Sequence, residues 1–226
     1  MKIIQPSFEI VRPQTREQGI FCLREIERFA RVSHRSEEKQ TDNSWERFIK
    51  AVVIDKGDWS VTEHIVATVI ARVDRGVSHE WVRHRIGSYT QESTRFVRYG
   101  NNREIEFIEP EWQGNEGPSD LFGGGVWEWR QSLERAENAY NDILDCGGTP
   151  QVARSVLPNA TATTLVVTYN LRSWRQFFMM RTTKETHPDF RRITIPMLAA
   201  FKERIPLLYD DIEPNVKQSI SLARPR

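Results

Sequence analysis

Apolar residues recur at helical spacing in the first part of the chain. Between Arg16 and Val32 they fall three and four residues apart on one broad face, which predicts an amphipathic helix. That face carries Ile20, Phe21, Leu23, Ile26 and Phe29. The same spacing follows Ser44, a residue type that caps helices, so a second helix is predicted from there to Gly57.

A different pattern marks two strands. From Ile65 to Val73 nearly every position is apolar and many residues are β-branched. This predicts a strand that is apolar on much of both faces and therefore central in a sheet. The stretch from Ala160 to Tyr169 is rich in Thr and Val and predicts a second strand. The first dozen residues also favour β structure.

Most of the remaining chain is predicted to be helical. Ser78 is expected to cap a short helix from His79 to about Arg85, and Thr149 followed by Pro150 has the sequence of a helix start. Further helices are predicted around Leu133 to Leu144, over Ser173 to Arg181 and from Pro188 to Arg204.

One stretch, from Asn101 to Gly125, is rich in Gly, Pro, Asn and acids and predicts a loop. The chain has no internal repeat and no low-complexity segment. The mixture of helices and strands therefore predicts an α/β (α+β) fold, with residues 1–226 forming a single domain.

Composition narrows the class of protein. A length of 226 residues with 38% hydrophobic content suits one soluble domain. Lys plus Arg number 32 against 31 for Asp plus Glu, a balance that argues against a surface built to coat nucleic acid. Two distant cysteines suggest neither a disulfide framework nor a zinc site. Because no signal peptide or long apolar run is present, we expect a cytoplasmic protein that does not associate with membranes.

The charge balance is broken locally between residues 83 and 103. This segment contains five arginines but a single acid, Glu92. The arginines are Arg83, Arg85, Arg95, Arg98 and Arg103. Guanidinium groups bind phosphate in a bidentate manner, and Ser88, Ser93 and Thr94 add hydroxyl donors. The segment therefore predicts either an anion site or a solvated basic face, and charge alone does not decide between them.

Helical geometry separates two of these arginines. If Arg83 and Arg85 lie at a helix end, successive side chains point about 100° apart, so the two guanidinium groups cannot serve one small ligand from one face. They are expected to contact different groups. One cationic cluster that serves two anionic ligands, or one ligand and a neighbouring subunit, is typical of a site that holds a cofactor as well as a substrate.

The segment resembles the signature of the flavin-dependent thymidylate synthases, which is Arg-His-Arg, seven residues, then Ser. Here it is Arg83-His84-Arg85 and Ser93, followed by Arg95 as in that family. The resemblance continues along most of the chain and is weak only at residues 101–130 and in the last twenty. Further matching positions are Ala30 to Ser33, Ser60, Glu63-His64, Val152 to Pro158, Asn170 to Ser173 and Arg181.

The resemblance implies two sets of binding residues, with several positions contributed by different subunits. The implied flavin-binding set is Ser60, Arg83, His84, Arg85, Gln91, Asn170, Leu171, Arg172 and Gln176. The implied dUMP-binding set is Glu80, Trp81, Val82, Arg83, Gln91, Glu92, Ser93, Thr94, Arg95, Arg154 and Arg181. Arg181 matches the arginine that the family assigns to ionising the uracil ring, and it is the implied catalytic residue.

The resemblance also implies an activity and an assembly. It implies reductive methylation of dUMP to dTMP, with 5,10-methylenetetrahydrofolate as one-carbon donor and NADPH as reductant through FAD. It implies a homotetramer with active sites at subunit interfaces, and a curved, largely antiparallel sheet flanked by helices. No metal and no cysteine nucleophile are implied, and Cys22 and Cys146 are expected to be structural.

Two departures and two other functions remain open. Position 80 is Glu where many relatives have Gln, and a carboxylate near a nucleotide phosphate repels it unless the carboxylate is turned away, paired or protonated. Asp58-Trp59 replaces a pair that is often His-Glu in the family. The alternative functions are flavin-dependent methylation of uracil in RNA and non-catalytic binding of nucleic acid through the basic segment.

Overall fold

A computed structural model describes residues 1–99, 104–113 and 119–215. The strands are β1 (Lys2–Ile4), β2 (Ser7–Arg12), β3 (Val66–Asp74), β4 (Ser88–Gln91), β5 (Glu106–Ile108) and β6 (Ala162–Asn170). The α-helices are α1 (Arg16–Val32), α2 (Ser44–Phe48), α3 (Arg75–Trp81), α4 (Ser119–Asp145), α5 (Pro150–Ala153), α6 (Leu171–Arg181) and α7 (Pro188–Arg204). None of the helices in these ranges is both long and apolar enough to cross a membrane.

Short turns of other helix types complete the chain. A π-helix, Ile49–Asp55, continues α2, and 3₁₀ helices cover Glu37–Lys39, Trp59–His64, Glu111–Gln113 and Arg154–Val156. Each 3₁₀ helix is short because its hydrogen-bond geometry is poorer than that of an α-helix.

The strands form two sheets. The larger has the order β2-β3-β6-β4, so β3 is an inner strand, as its sequence predicts. It is antiparallel: along β3 and β6, Thr68 lies 2.9 Å from Thr168, and Arg72 donates to Thr164 over 2.9 Å. The smaller sheet pairs β1 with β5 in parallel, with Lys2 opposite Glu106. The predicted α/β (α+β) class with a largely antiparallel sheet is confirmed.

Contacts divide the chain into two compact units, each made of three segments. The first unit comprises residues 1–8, 70–83 and 89–166. The second unit comprises residues 9–69, 84–88 and 167–226. The single-domain boundaries over residues 1–226 stay a prediction.

The first unit has a core built around α4. Its buried residues are Tyr99, Ile105, Phe107, Leu133, Tyr140, Leu144 and Ala153. The predicted loop over residues 101–125 is wrong in part, because β5 lies inside it and α4 begins at Ser119. Gly124 and Gly125 continue this helix, and glycine in a helix costs only about 1 kcal/mol relative to alanine. Residues 100–103 and 114–118 lie outside the described residues.

The second unit has an aromatic core between α6 and α7. Neighbouring ring centroids lie as close as 4.6 Å, for the Tyr169–Trp174 pair. Trp174 also donates its indole N–H to the Ala67 carbonyl over 3.0 Å, which satisfies the ring's polar atom inside the core. The buried rings are Tyr169, Trp174, Phe177, Phe178, Phe190, Phe201 and Tyr209.

Several predicted helix starts and faces differ from the structure. α3 begins at Arg75, four residues before the predicted start, because the Asp74 carboxylate accepts the Val77 N–H over 2.7 Å. Ser78 lies inside this helix. Ser44 is not a cap either, since its hydroxyl donates to Glu27 over 2.9 Å. On α1, Phe21 was predicted to be on the apolar face but is 62% exposed.

Gly19 offers a test of how α1 packs. A Cβ atom added at Gly19 would lie 1.8 Å from the carbonyl oxygen of Arg204 at the end of α7. That oxygen belongs to the backbone and cannot move aside without shifting the helix. We expect Gly19→Ala to lower the free energy of unfolding by about 3 kcal/mol or more, measured by urea unfolding.

Gly124→Ala is the matched control. Nothing lies within 4 Å of a Cβ atom there, and the residue is inside α4. We expect this substitution to stabilise the protein by about 0.5 to 1 kcal/mol, because alanine favours the helix more than glycine does. Equal unfolding free energies for the two variants would show that α1 and α7 do not pack as described.

Candidate functional site

The predicted site residues divide between the two units, and the division falls inside the signature, between Arg83 and His84. The first unit contains Glu80, Trp81, Val82, Arg83, Gln91, Glu92, Ser93, Thr94, Arg95 and Arg154. The second unit contains Ser60, His84, Arg85, Asn170, Leu171, Arg172, Gln176 and Arg181. Thus all but one member of the implied dUMP set lies in the first unit, and Arg181 is the exception.

In the first unit, Arg95 is hydrogen-bonded to the short helix that directly precedes Arg154. Arg95 donates its Nε–H to Gln151 Oε1 over 3.1 Å. Gln151 belongs to α5, and Arg154 begins the 3₁₀ helix that follows directly. Both guanidinium groups are exposed, and among the described residues neither forms an ion pair with a carboxylate. This pair is a local excess of positive charge suited to a phosphate group.

The end of α3 carries four predicted residues with different environments. Trp81 is fully buried, so its side chain is part of the core and not a surface for a ligand. Its carbonyl accepts the Tyr89 hydroxyl over 3.1 Å, which holds the chain that leaves the helix. Glu80 is half-buried, whereas Val82 and Arg83 are exposed. Of these four side chains, Arg83 offers the strongest anion-binding group.

Side-chain hydrogen bonds hold the end of β4 and the turn that follows it. Gln91 Nε2 donates to Ser78 Oγ over 2.9 Å and to Thr163 Oγ1 over 3.3 Å. Beyond it, Ser93 Oγ accepts the Arg95 N–H over 3.3 Å, and Thr94 is 5% exposed. The turn therefore has a defined shape from which the Arg95 side chain projects.

In the second unit, His84 and Arg181 are in direct contact. Arg181 Nε–H donates to His84 Nε2 over 2.7 Å, so Nε2 carries no proton and the ring proton is on Nδ1. The His84 ring also lies edge-on to Phe177, with centroids 5.0 Å apart. Burial, together with the Arg181 charge, lowers the pKa of His84 to about 4. The imidazole is therefore neutral at physiological pH and acts as an acceptor that orients the guanidinium.

Arg181 is positioned by other parts of the second unit as well. Its Cζ lies 5.2 Å from the centre of the Phe190 ring, and its carbonyl accepts the Thr194 hydroxyl over 2.6 Å. Both contacts come from α7, while the residue itself ends α6. The predicted catalytic arginine is thus held by three separate contacts, which limits the directions its guanidinium can point.

Two of the predicted flavin residues, Asn170 and Leu171, hold the start of α6 in place. Asn170 Oδ1 accepts the Ser173 N–H over 2.7 Å and caps the helix. Leu171 is buried, its N–H donates to Ile65, and its carbonyl accepts the Tyr209 hydroxyl. These two residues fix the position of the helix, so the exposed residues after them are the ones able to contact a ligand.

Those exposed residues lie beside the 3₁₀ helix Trp59–His64. Arg172 donates to Glu63 over 2.6 Å, and Gln176 is exposed one turn further along the same helix face. Ser60 donates its hydroxyl to Asp58 over 2.8 Å. The structure therefore packs α6, which carries Arg172 and Gln176, against the 3₁₀ helix that carries Ser60. Arg85 is exposed and forms no ion pair among the described residues.

Sequence reasoning missed three residues that shape these sets and gave no role to a fourth, Glu63, although one signal was available. Gln151 contacts Arg95 and nothing in its local sequence marks it, whereas Glu63, which contacts Arg172, is one of the positions that match the family. Arg72 and Tyr99 both contact Glu92. The signal was Arg72 itself, since a charged side chain within a central apolar strand needs a buried partner. Arg103, one of the five arginines of the basic segment, lies outside the described residues.

The two cysteines differ in burial. Cys22 is half-buried, and burial raises the pKa of its thiol, which disfavours the nucleophilic thiolate. Cys146 is exposed at the end of α4. Across the described ranges, no group of three or more His, Cys, Asp or Glu side chains is arranged to hold a metal ion.

The fold and these residues define a recognised family. A profile of the family described as thymidylate synthase complementing protein matches residues 22–207. The match spans most of the chain, and the chain belongs to this family. The resemblance inferred from the Arg-His-Arg signature is confirmed.

Curated relatives point to the same family. The flavin-dependent thymidylate synthase of Corynebacterium diphtheriae is 34% identical over 173 residues, covering 73% of this chain and 68% of the relative. The flavin-dependent thymidylate synthase of Mycobacterium tuberculosis is also 34% identical over 173 residues, covering 71% of this chain and 67% of the relative. These relatives are named for their dependence on flavin.

Solved structures share the fold. The UMP/dUMP methylase PolB from Streptomyces cacaoi, bound with 5-Br dUMP, matches with a TM-score of 0.74 and 22% identity, covering 92% of this chain and 95% of that chain. Its structure with 5-Br UMP also matches with a TM-score of 0.74, at 21% identity, covering 92% and 94%. At these identities the similarity shows the fold alone.

The His84–Arg181 contact predicts a pH dependence of stability. The folded protein lowers the His84 pKa from 6.5 to about 4, so the unfolded chain takes up a proton that the folded state resists. The contribution of His84 to the free energy of unfolding is fully present above pH 6.5 and is lost as the pH falls from 6.5 towards 4. The loss is roughly 1 to 2 kcal/mol, less than the full shift implies because the ring is partly solvated.

This dependence is measured by urea unfolding between about pH 7.5 and pH 5, comparing wild type with His84→Gln, which does not titrate. We expect a shallower loss of unfolding free energy on acidification in the variant. His34→Gln, at an exposed histidine, is the control and should follow the wild type. Identical pH slopes for wild type and His84→Gln would contradict the contact.

Proposed function

We propose that this chain is a flavin-dependent thymidylate synthase. It converts dUMP to dTMP with 5,10-methylenetetrahydrofolate as the one-carbon donor and NADPH as the reductant through FAD. The observation that carries the proposal is the hydrogen bond from the exposed Arg95 to Gln151, in the short helix that directly precedes a second exposed arginine, Arg154, in a chain of this family. A nucleotide monophosphate is the simplest ligand that neutralises such a pair and still presents a base for chemistry.

The phosphate end of dUMP is assigned to the first unit. Arg95, Arg154 and Arg83 supply guanidinium groups that are not neutralised by carboxylates of the described residues. Hydrogen bonds between guanidinium and phosphate are charge-assisted and roughly twice as strong as neutral ones. Ser93 and Thr94 supply backbone N–H groups and hydroxyls in the same turn. Glu80 is half-buried, and its carboxylate is expected to be turned away from the phosphate.

The uracil end is assigned to Arg181. A guanidinium held against a uracil carbonyl or ring nitrogen favours the anionic ring and raises electron density at the carbon that is methylated. His84 accepts the Nε–H of this arginine. This hydrogen bond fixes the plane of the guanidinium and therefore the directions in which its Nη groups point. Preorganisation matters here because a charge that is already oriented needs no rearrangement as the transition state forms.

The second unit offers donors that fit FAD. Arg172 donates one of its five guanidinium N–H groups, on Nη1, to Glu63. Most of its donors therefore remain for an anionic pyrophosphate. Arg85, Gln176 and Ser60 add a cation, an amide and a hydroxyl that suit phosphate and ring carbonyl oxygens. When bound, FAD supplies the redox chemistry, while the protein residues bind, orient and stabilise charge.

The exposed apolar side chains support self-association. Ile86 is 81% exposed and Phe96 is 79% exposed, and both lie within or beside the signature. Phe21, Val32, Met179 and Met180 are further exposed apolar residues. Such patches on a globular protein mark interaction surfaces. We propose a homotetramer whose active sites include residues of neighbouring subunits, with no nucleic acid as partner.

Two related acceptors are kept as alternatives. The fold neighbour is named a UMP/dUMP methylase, which makes UMP a second candidate substrate for this chain. A uracil in RNA is the other, because a cationic site binds a polynucleotide phosphate as well as a mononucleotide. A non-catalytic nucleic-acid-binding protein remains a further class, although the balanced overall charge speaks against it.

The proposal is tested with the purified protein. We expect a yellow protein that takes up FAD and forms dTMP from dUMP only when methylenetetrahydrofolate and NADPH are both present. UMP and a uracil-containing RNA are assayed in parallel, with the methylated product identified by mass spectrometry. A colourless protein that takes up no FAD, or one that methylates only RNA, would overturn the proposal.

Arg181→Ala tests the role given to the uracil end within the same assay. We expect it to keep bound FAD and lose turnover by about a hundredfold or more, the effect typical of removing a group that stabilises developing charge. Arg135→Ala, at an exposed arginine of α4, is the matched control and should retain activity. Turnover in Arg181→Ala close to that of the control would remove the catalytic role.

A further inference from the structure

The Glu92 carboxylate, a member of the implied dUMP set, is already occupied by donors of the protein. Glu92 Oε2 accepts Arg72 Nη1–H over 2.7 Å, and Oε1 accepts the Tyr99 hydroxyl over 2.6 Å. Thr164 Oγ1 lies 3.3 Å from Oε2. With three partners and its charge neutralised by Arg72, this carboxylate is not available to a nucleotide, and an unpaired carboxylate there would repel a phosphate.

Arg72 is held on its other side as well. Its Nη2 donates to Glu106 Oε2 over 2.8 Å, and Lys2 donates to Glu106 Oε1 over 3.0 Å. Burial alone would lower the pKa of Arg72, but the hydrogen bonds to Glu106 and Glu92 outweigh it and the pKa is raised. The guanidinium therefore remains charged and bridges the carboxylates of Glu92, which follows β4, and Glu106, which lies in β5.

These contacts close a loop. Glu92 directly follows β4, and its N–H donates to the Thr164 carbonyl over 2.9 Å, so it marks the point where the strand pairing ends. Tyr99 lies seven residues later and its hydroxyl returns to Glu92. Burial, followed by donation to Glu92, raises the pKa of Tyr99, so the hydroxyl keeps its proton and remains a donor. Between the two residues lie Ser93, Thr94 and Arg95.

We propose that Arg72 and Tyr99 are positioning residues that act through Glu92 to hold the loop carrying Ser93, Thr94 and Arg95 in the shape that binds the nucleotide phosphate. This inference rests on the proposed function. It also reassigns Glu92, which the resemblance places in contact with dUMP, to the support of its neighbours. A loop tied at both ends loses less conformational entropy when the ligand binds.

The network is open to water, which makes substitution tolerable. A groove of about 560 Å³ adjoins it, lined by Lys2, Arg72, Glu92, Val97, Tyr99, Glu104 and Glu106. The side chains of Arg72 and Glu92 are 21% and 20% exposed. Removing Arg72 therefore leaves a Glu92 charge that water can reach, so the chain is expected to fold while the loop loses its defined position.

The test measures dUMP binding by calorimetry on the FAD-loaded protein, together with KM, kcat and FAD content. We expect Arg72→Met to weaken dUMP binding by about tenfold or more, and Tyr99→Phe, which keeps the ring in the core, by a few-fold. In both variants KM for dUMP should rise in parallel, while kcat at saturating dUMP and FAD content stay within about twofold of wild type.

Glu106→Gln is the matched control because it removes the other ion pair of the same arginine. We expect it to leave dUMP binding unchanged. Adding Arg72→Met to Glu92→Gln should cost no more than the larger of the two single effects, since both act through one contact. A general loss of stability would instead lower the FAD content and the affinity for dUMP together.

Three outcomes would decide against the inference. Wild-type affinity for dUMP in both Arg72→Met and Tyr99→Phe would overturn it, as would an equal loss of affinity in Glu106→Gln. A wild-type protein that takes up FAD but neither binds nor methylates dUMP would overturn the proposed function, and the inference with it. Binding by wild type with no change in the variants would overturn the inference alone.

Discussion

The hydrogen-bonded pairing of β3 with β6 is the constraint on which the rest of the structure depends. Each strand passes into a helix with no intervening loop, and the last residue of the strand caps that helix. Asp74 caps α3, and Asn170 caps α6. Because no flexible residue separates strand from helix, the register of the strand sets where the helix starts and which residues face outward. The positions of Arg83 and Arg181 follow from these two junctions.

The arginines of the described residues fall into two groups, which explains how a nearly neutral protein has a local excess of positive charge. Arg72 and Arg175 are paired with carboxylates and hold separate parts of the chain together. Arg95 and Arg154 have no such partner within the described ranges. Carboxylates of the protein neutralise the paired arginines, whereas Arg95 and Arg154 keep positive charge that is available to an anionic ligand. The net charge of the chain conceals this difference.

The sequence contained enough information for most of the elements and for the family, but not for the contacts that support the candidate site residues. The bounds of α1 and α7 were predicted to the residue because their apolar spacing is regular and their ends are marked. The start of α3 was misplaced because Asp74 and Ser78 are both capping residues, and only tertiary context selects between them. The helical start of α4 was missed because glycines suggested a loop.

The contacts of Gln151, Tyr99 and Glu63 escaped prediction for a different reason. Each acts through a contact with a residue at least seven positions away, and no local spacing encodes such a contact. The Arg-His-Arg signature identified the family, yet it did not reveal that its residues are distributed over two compact units. The central claim is therefore the proposal that the first unit binds the nucleotide phosphate and that the second unit supplies most of the flavin-binding residues.

Parallel titrations of Arg154→Ala and Arg172→Ala with dUMP and with FAD test this claim most directly. If the claim is right, Arg154→Ala loses dUMP affinity by about tenfold or more and keeps FAD, whereas Arg172→Ala weakens FAD binding and leaves dUMP binding to the FAD-saturated protein near wild type. Loss of both ligands in both variants, or the reverse assignment of the two losses, would contradict it.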